Sequence, residues 1–196
     1  MALRIFPLIP SAIALGLWLA GPGAIAQSRR PELFEQNRRP EQPASVVVPT
    51  TGDSVAPPKS YRWTDSAIAR LEQDTLQKVN QYRLSKGLSP LRSDPRLAEQ
   101  ARRHSREMAS RRITFGHPGF RRRVRAIDRQ IPSRRVGENV AYIFSQTDPS
   151  DRAFQGWLRS TQHRNNMEDR FDLTGIGIAQ DDKGAFFMTQ IFVRRR

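Results

Sequence analysis

The chain has 196 residues, enough for one domain with extensions, and a formal net charge of +14 carried mainly by arginine. Without cysteine it can form no disulfide, no thiolate metal site and no lipid-modified cysteine, so an exported form must be held by its core alone. Guanidinium stays charged and grips carboxylate, phosphate or sulfate bidentately, so the expected partners are an anionic envelope polymer or lipid, or nucleic acid, with plain surface solvation as the alternative.

Residues 1–26 have the pattern of a secretory signal: Arg4 gives the positive start, Ser11 to Ala20 an apolar core, and Ala24-Ile25-Ala26 small residues for cleavage. An uncleaved anchor is the alternative, although Pro7, Pro10, Gly21, Pro22 and Gly23 oppose a continuous spanning helix. Cleavage places the protein outside the cell or in the periplasm, with no membrane span afterwards. Residues 27–60 are rich in Pro, Gln, Arg and Glu, as a disordered or extended spacer would be. A folded domain is expected over residues 61–196.

Asp65 is placed to cap a helix with Ile68, Leu71, Leu76, Val79 and Tyr82 near the helical period, and Gly87 to end it. Asp94 with Pro95 opens a second helix whose stripe is Leu97, Ala101, Ser105 and Met108. His104, beside that stripe, is expected to be a packed or partly exposed helix residue and not a ligand. Phe115-Gly116-His117-Pro118-Gly119 sets a histidine among turn residues. A short helix, Phe120 to Arg129, then crowds Arg121, Arg122, Arg123, Arg125 and Arg129 together, which predicts a solvated face, with anion docking as the functional alternative.

Val136-Gly137-Glu138-Asn139-Val140-Ala141 puts a carboxylate in an apolar run, where it needs a partner. Asp148 or Ser150 caps a further helix bearing Ala153, Phe154 and Trp157, which runs into a polar turn carrying His163. The chain ends with two strand patterns, Gly175 to Ala179 and Ala185 to Val193, around the turn Asp181-Asp182-Lys183-Gly184. Gly175 and Gly177 inside a strand predict close backbone approach. Helices followed by antiparallel strands predict an α+β fold.

The succession of Val79-Asn80-Gln81-Tyr82-Arg83, Gly87-Leu88-Ser89-Pro90-Leu91, the Leu97 to Met108 helix, Phe115-Gly116-His117, Gly137-Glu138-Asn139-Val140-Ala141, Trp157 with Ser160, His163-Arg164-Asn165-Asn166, and Thr189-Gln190-Ile191-Phe192 resembles the bacterial branch of the CAP superfamily. That superfamily includes cysteine-rich secretory proteins, insect antigen 5 and plant pathogenesis-related proteins, and the resemblance runs in unbroken order from residue 65 to 193. It implies an α-β-α sandwich with a central antiparallel sheet covered by helices, and an association with lipids, sterols and other ligands. It also implies a cleft of two histidines and two acids. His117 matches the first histidine, Glu138 the first glutamate and His163 the second histidine. Where the second glutamate is expected this chain has Arg159 and Ser160, and the family's disulfides are missing.

The organising expectation is that His117, Glu138 and His163 meet in one cleft. Two imidazoles and a carboxylate can hold Zn²⁺ or another divalent cation with an open position. The same three can equally be a structural cluster in which Glu138 accepts hydrogen bonds from the histidines. A third arrangement makes Ser160 a nucleophile, His163 its base and Glu138 the orienter, without the Gly-x-Ser-x-Gly elbow. Asn139 and Asn166 are expected to tie loop backbone. Arg164 is expected to pair with Glu138 or Glu168, or to face an anionic ligand.

These residues point first to a secreted, non-enzymatic binding module for an anionic envelope component, lipid or small ligand, its ligand cleft lined by His117, Glu138, His163, Ser160, Arg164 and Asn166. A peptide or ester hydrolase is second. Nucleic acid is a distant third, since no recognition motif accompanies the charge.

Overall fold

The computed structural model describes residues 62–196; the predicted signal and spacer lie outside the described residues. The first helix, α1 (Asp65–Ser85), is capped one residue earlier than the sequence suggests, by Thr64, whose hydroxyl accepts from the Ala67 N–H at 3.2 Å. Its end is the predicted one. Gly87, at φ +69°, bonds back to the Leu84 carbonyl while the Leu88 N–H reaches Arg83, which satisfies carbonyls the helix leaves open. The buried Arg83 guanidinium then donates to the carbonyls of Met167 (2.6 Å), Asp169 and Ser89 (2.9 Å each), holding distant turns against α1.

A two-residue strand, β1 (Arg92–Ser93), leads into α2 (Pro95–Ala109), with Asp94 as cap and Pro95 at the first position, as expected. The arginine-rich segment forms α3 (Phe120–Asp128). The Glu138 segment is a long strand, β2 (Ser133–Ile143). Asp148, not Ser150, caps α4 (Pro149–Arg159), and the expected His163 turn is a fifth helix, α5 (Thr161–Glu168). Ser160 ends α4 and begins α5, so the break between them is one residue long.

The terminal hairpin is β3 (Leu173–Gln180) and β4 (Phe186–Arg195). Its turn is fixed by the Asp181 carboxylate, which accepts from the N–H groups of Lys183 (3.0 Å) and Ala185 (2.8 Å). The strand order is β1-β3-β4-β2: three antiparallel strands, with β1 added parallel to β3 at one edge.

Alternation along β4 divides the core. Phe186, Met188 and Phe192 pack with Leu71 and Val79 of α1, Trp157 of α4 and Met167 of α5. Ile191 and Val193 pack with Leu97 and Ala101 of α2 and Ile127 of α3. Period-two strands with apolar residues on both faces need cover on both sides, and each such side chain contributes about 1.5–3 kcal/mol by leaving water. The result is an α-β-α sandwich. A Cβ on Gly175 would lie 2.1 Å from the Ala98 nitrogen, and one on Gly177 would lie 1.9 Å from that of Arg102, so α2 packs directly on the β3 backbone.

Candidate functional site

Glu138 occupies a β2 position that faces the α2–α3 layer, together with Val136 and Val140, while Asn139, Ala141 and Ile143 face α4 and α5. The residue is 6% exposed, and a buried charge must be compensated. His117, from the loop before α3, places Nδ1 2.9 Å from Oε1. Arg123, on α3, donates Nη2–H to Oε1 at 2.6 Å and Nε–H to Oε2 at 2.8 Å, a two-pronged pair between buried groups. The third guanidinium nitrogen, Nη1, donates to the Pro118 carbonyl at 2.8 Å.

Arg123 corrects the expectation of a uniformly solvated α3. One of the five arginines turns inward, and Arg121, Arg122, Arg125 and Arg129 stay exposed. The sequence holds a signal for this, because Arg123 lies one helical turn before the buried Ile127 and Glu138 requires a cation. His104 is also more central than a residue beside the stripe: Leu97, Ala101, His104 and Met108 form one buried helical face, and the histidine is 1% exposed. Its Nε2 is 2.9 Å from the Gly116 carbonyl, which requires a proton on Nε2, so the Arg123 Nη2 at 3.2 Å is in contact without a hydrogen bond. Burial holds the His104 pKa below its ordinary value.

Burial alone would raise the Glu138 carboxyl pKa, but the hydrogen bonds from His117 and Arg123, with the Arg123 charge, hold it below the usual range. The group is a carboxylate at neutral pH, and the His117 Nδ1–H donates to it.

His163 comes from the other helical layer, on α5, and approaches β2 at the edge of the sheet. Its backbone carbonyl accepts from Asn139 Nδ2 at 3.0 Å, and Asn166 Nδ2 reaches Asn139 Oδ1 at 2.9 Å and the Glu138 carbonyl at 3.3 Å. The two asparagines therefore tie α5 to β2, as expected of them. The His163 residue is 2% exposed with neither ring nitrogen hydrogen-bonded, and burial, with a smaller repulsion from His117, lowers its pKa to about 4. The structure thus joins His117 to Glu138 directly. His163 is brought within electrostatic reach of His117, with no hydrogen bond to either.

Ser160 starts α5 and makes no hydrogen bond to His163. Arg164 donates to the Leu158 carbonyl at 3.0 Å and bridges to neither Glu138 nor Glu168; Glu168 accepts from the Tyr82 hydroxyl at 2.5 Å. A divalent cation needs free lone pairs; Glu138 Oε1 accepts from both His117 and Arg123, and Oε2 accepts from Arg123, so a cation could reach the carboxylate only beside a fixed guanidinium. Among the described residues no group of three or more His, Asp or Glu side chains is arranged to hold a metal. With Arg123 on the carboxylate, Glu138 does not complete a two-histidine, one-glutamate set for a divalent ion, and the ring nitrogens of His163 stay unpartnered.

Beside this cluster, α2 and α3 leave a groove of about 220 Å³ walled by Arg103, Arg122 and Arg129, with His104 and Arg123 also lining it. Among the described residues, Arg122 and Arg129 have no side-chain hydrogen bond or ion pair, and Arg103 has a 3.3 Å bridge to Glu107.

The three-layer α-β-α sandwich is a fold this chain shares with solved proteins of one family. The family model for the cysteine-rich secretory protein (CAP) family matches residues 76–192, more than half of the chain, and the chain belongs to that family. The uncharacterized protein YkwD of Bacillus subtilis (strain 168) is 27% identical over 165 residues, 81% of this chain and 57% of YkwD. The uncharacterized membrane protein YlbC of the same strain is 30% identical over 127 residues, 63% of this chain and 34% of YlbC. The chain thus spans less than two thirds of either relative. An extracellular protein containing an SCP domain from Bacillus anthracis str. Ames superposes with a TM-score of 0.52 at 28% identity, covering 69% of this chain and 45% of that one. An outer surface protein of Borrelia burgdorferi shares the fold, with a TM-score of 0.56 at 17% identity over 65% of this chain and 94% of that protein. No helix among the described residues is long and apolar enough to cross a membrane.

Proposed function

We propose that this CAP domain is an exported, non-enzymatic binding module that docks an anionic envelope polymer through the arginine face of α3 and the groove between α2 and α3. The observation that carries this is the set of exposed guanidinium groups at Arg121, Arg122, Arg125 and Arg129, which have no partner among the described residues. Like charges held this close on nine residues of helix repel one another, and an anionic ligand relieves that repulsion. Guanidinium recognises phosphate and carboxylate in particular because its planar fork matches their oxygens. Export is supported by the signal-like residues 1–26 and by the extracellular and outer-surface descriptions of two structural neighbours.

The test is co-sedimentation of the full chain with isolated envelope material across a salt series, with anionic and neutral lipid vesicles run in parallel. Binding is expected to fall steeply with salt, since exposed charges are screened beyond about 8 Å at physiological ionic strength. It is also expected to fall in Arg122→Glu/Arg129→Glu, where the fold is untouched. Binding that ignores both salt and the charge reversal would refute the reading, and retention on anionic vesicles alone would move the ligand from polymer to lipid.

A further inference from the structure

We propose that Arg123 is the resident cation of the centre, so that the Glu138 cleft works without a divalent ion, and that a metal site arises there only when this guanidinium is removed.

Every oxygen against the guanidinium is one a bound cation would also use: Glu138 Oε1 at 2.6 Å and Oε2 at 2.8 Å, and the Pro118 carbonyl at 2.8 Å. A metal reaching the carboxylate must therefore expel a fixed positive charge from two charge-assisted bonds, or sit beside it. Arginine cannot relieve that conflict by giving up a proton, as lysine or histidine can. Nor can the side chain swing into water without loss: Arg123 is 8% exposed, and leaving strands the buried Glu138. Arg123 and His104 together form the wall between the cleft and the basic groove, so one residue neutralises the carboxylate and adds positive charge to the groove. His117, whose side chain is 25% exposed, is left to contribute its second ring nitrogen to whatever enters.

The test is calorimetric titration of Zn²⁺ into the chelator-treated full chain, with thermal melts in EDTA and in excess Zn²⁺. The wild type is expected to show no one-to-one binding and an unchanged Tm. Arg123→Ala is expected to gain Zn²⁺ affinity by about tenfold or more, and Arg123→Ala/Glu138→Gln to lose the gain. Arg123→Lys keeps a cation in place, but one that can give up a proton, and is expected to fall between the wild type and Arg123→Ala. One Zn²⁺ bound per wild-type chain, abolished by His117→Ala or His163→Ala, would overturn the proposal. So would a folded Arg123→Ala that gains nothing. If Arg123→Ala does not fold, the wild-type titration decides alone, because one-to-one binding that depends on either histidine contradicts an internal cation and its absence supports one.

Discussion

Removing the Arg123 side chain beyond its stem, as in Arg123→Met, should be among the most costly single changes in the domain. The residue makes two short bonds to Glu138, at 2.6 and 2.8 Å, and the carboxylate side chain is 1% exposed, so water cannot take the guanidinium's place. Hydrogen bonds to charged groups are worth about 1.5–3 kcal/mol each, which for two bonds agrees with the roughly 3–5 kcal/mol typical of breaking a buried pair from one side. For a domain of this size that lowers Tm by roughly 10–20 °C. Glu138→Gln should cost a similar amount, since it leaves a buried guanidinium facing an amide. The double variant Arg123→Met/Glu138→Gln should lose far less than the sum, because no unpaired charge remains. Urea denaturation of the four proteins at neutral pH measures the cycle. Single losses under about 1 kcal/mol, or a double loss equal to their sum, would refute the claim that the charges compensate each other inside the protein.

The pH dependence has a definite sign. His163 binds its proton near 6.5 when unfolded and at about 4 when folded, so its contribution is complete above pH 6.5 and is lost as pH falls to about 4, up to roughly 3 kcal/mol. His104, whose pKa is lowered by burial, acts in the same direction, and Glu138, a depressed carboxyl, adds loss only at lower pH. NMR titration should find the His163 ring neutral at pH 5; an ordinary histidine midpoint there would contradict its burial. Gly177→Ala should prevent normal folding or cost more than the roughly 1–3 kcal/mol of ordinary overpacking, because the new Cβ would meet the α2 backbone at Arg102; soluble yield and Tm like the wild type would refute the contact. Trp157→Phe should cost about 2 kcal/mol, since the Nε1–H that satisfies the Val140 carbonyl at 3.1 Å is lost; denaturant unfolding measures it, and a neutral result would mean the carbonyl has another partner.

Much of the fold is written locally. Asp94-Pro95, Gly87 and the Asp181 to Gly184 turn each mark an element boundary through the chemistry of one or two residues, and the structure uses each at that point. Gly175 and Gly177 announce a close approach, and the missing side chains indeed admit α2. The candidate site is legible in part. An acid in an apolar run and a histidine between glycines stand out because burying them is costly, and Glu138 and His117 do pair.

Sequence alone thus determined the first four helices, the terminal hairpin and which polar residues needed partners, because these follow from spacing and burial cost along the chain, while β1, β2 and the helix at His163 emerged only in the fold. Which partner each found was decided only in three dimensions. Arg123 has the same side chain as its four neighbours and only its place one turn before Ile127 sets it apart, yet the phase of α3 against β2 turns it alone onto Glu138, while His163, expected as a partner of Glu138, approaches from the opposite layer. A helix rotates its residues by about 100° each, so adjacent identical side chains meet different surroundings. Packing sets that phase, and composition carries no record of it.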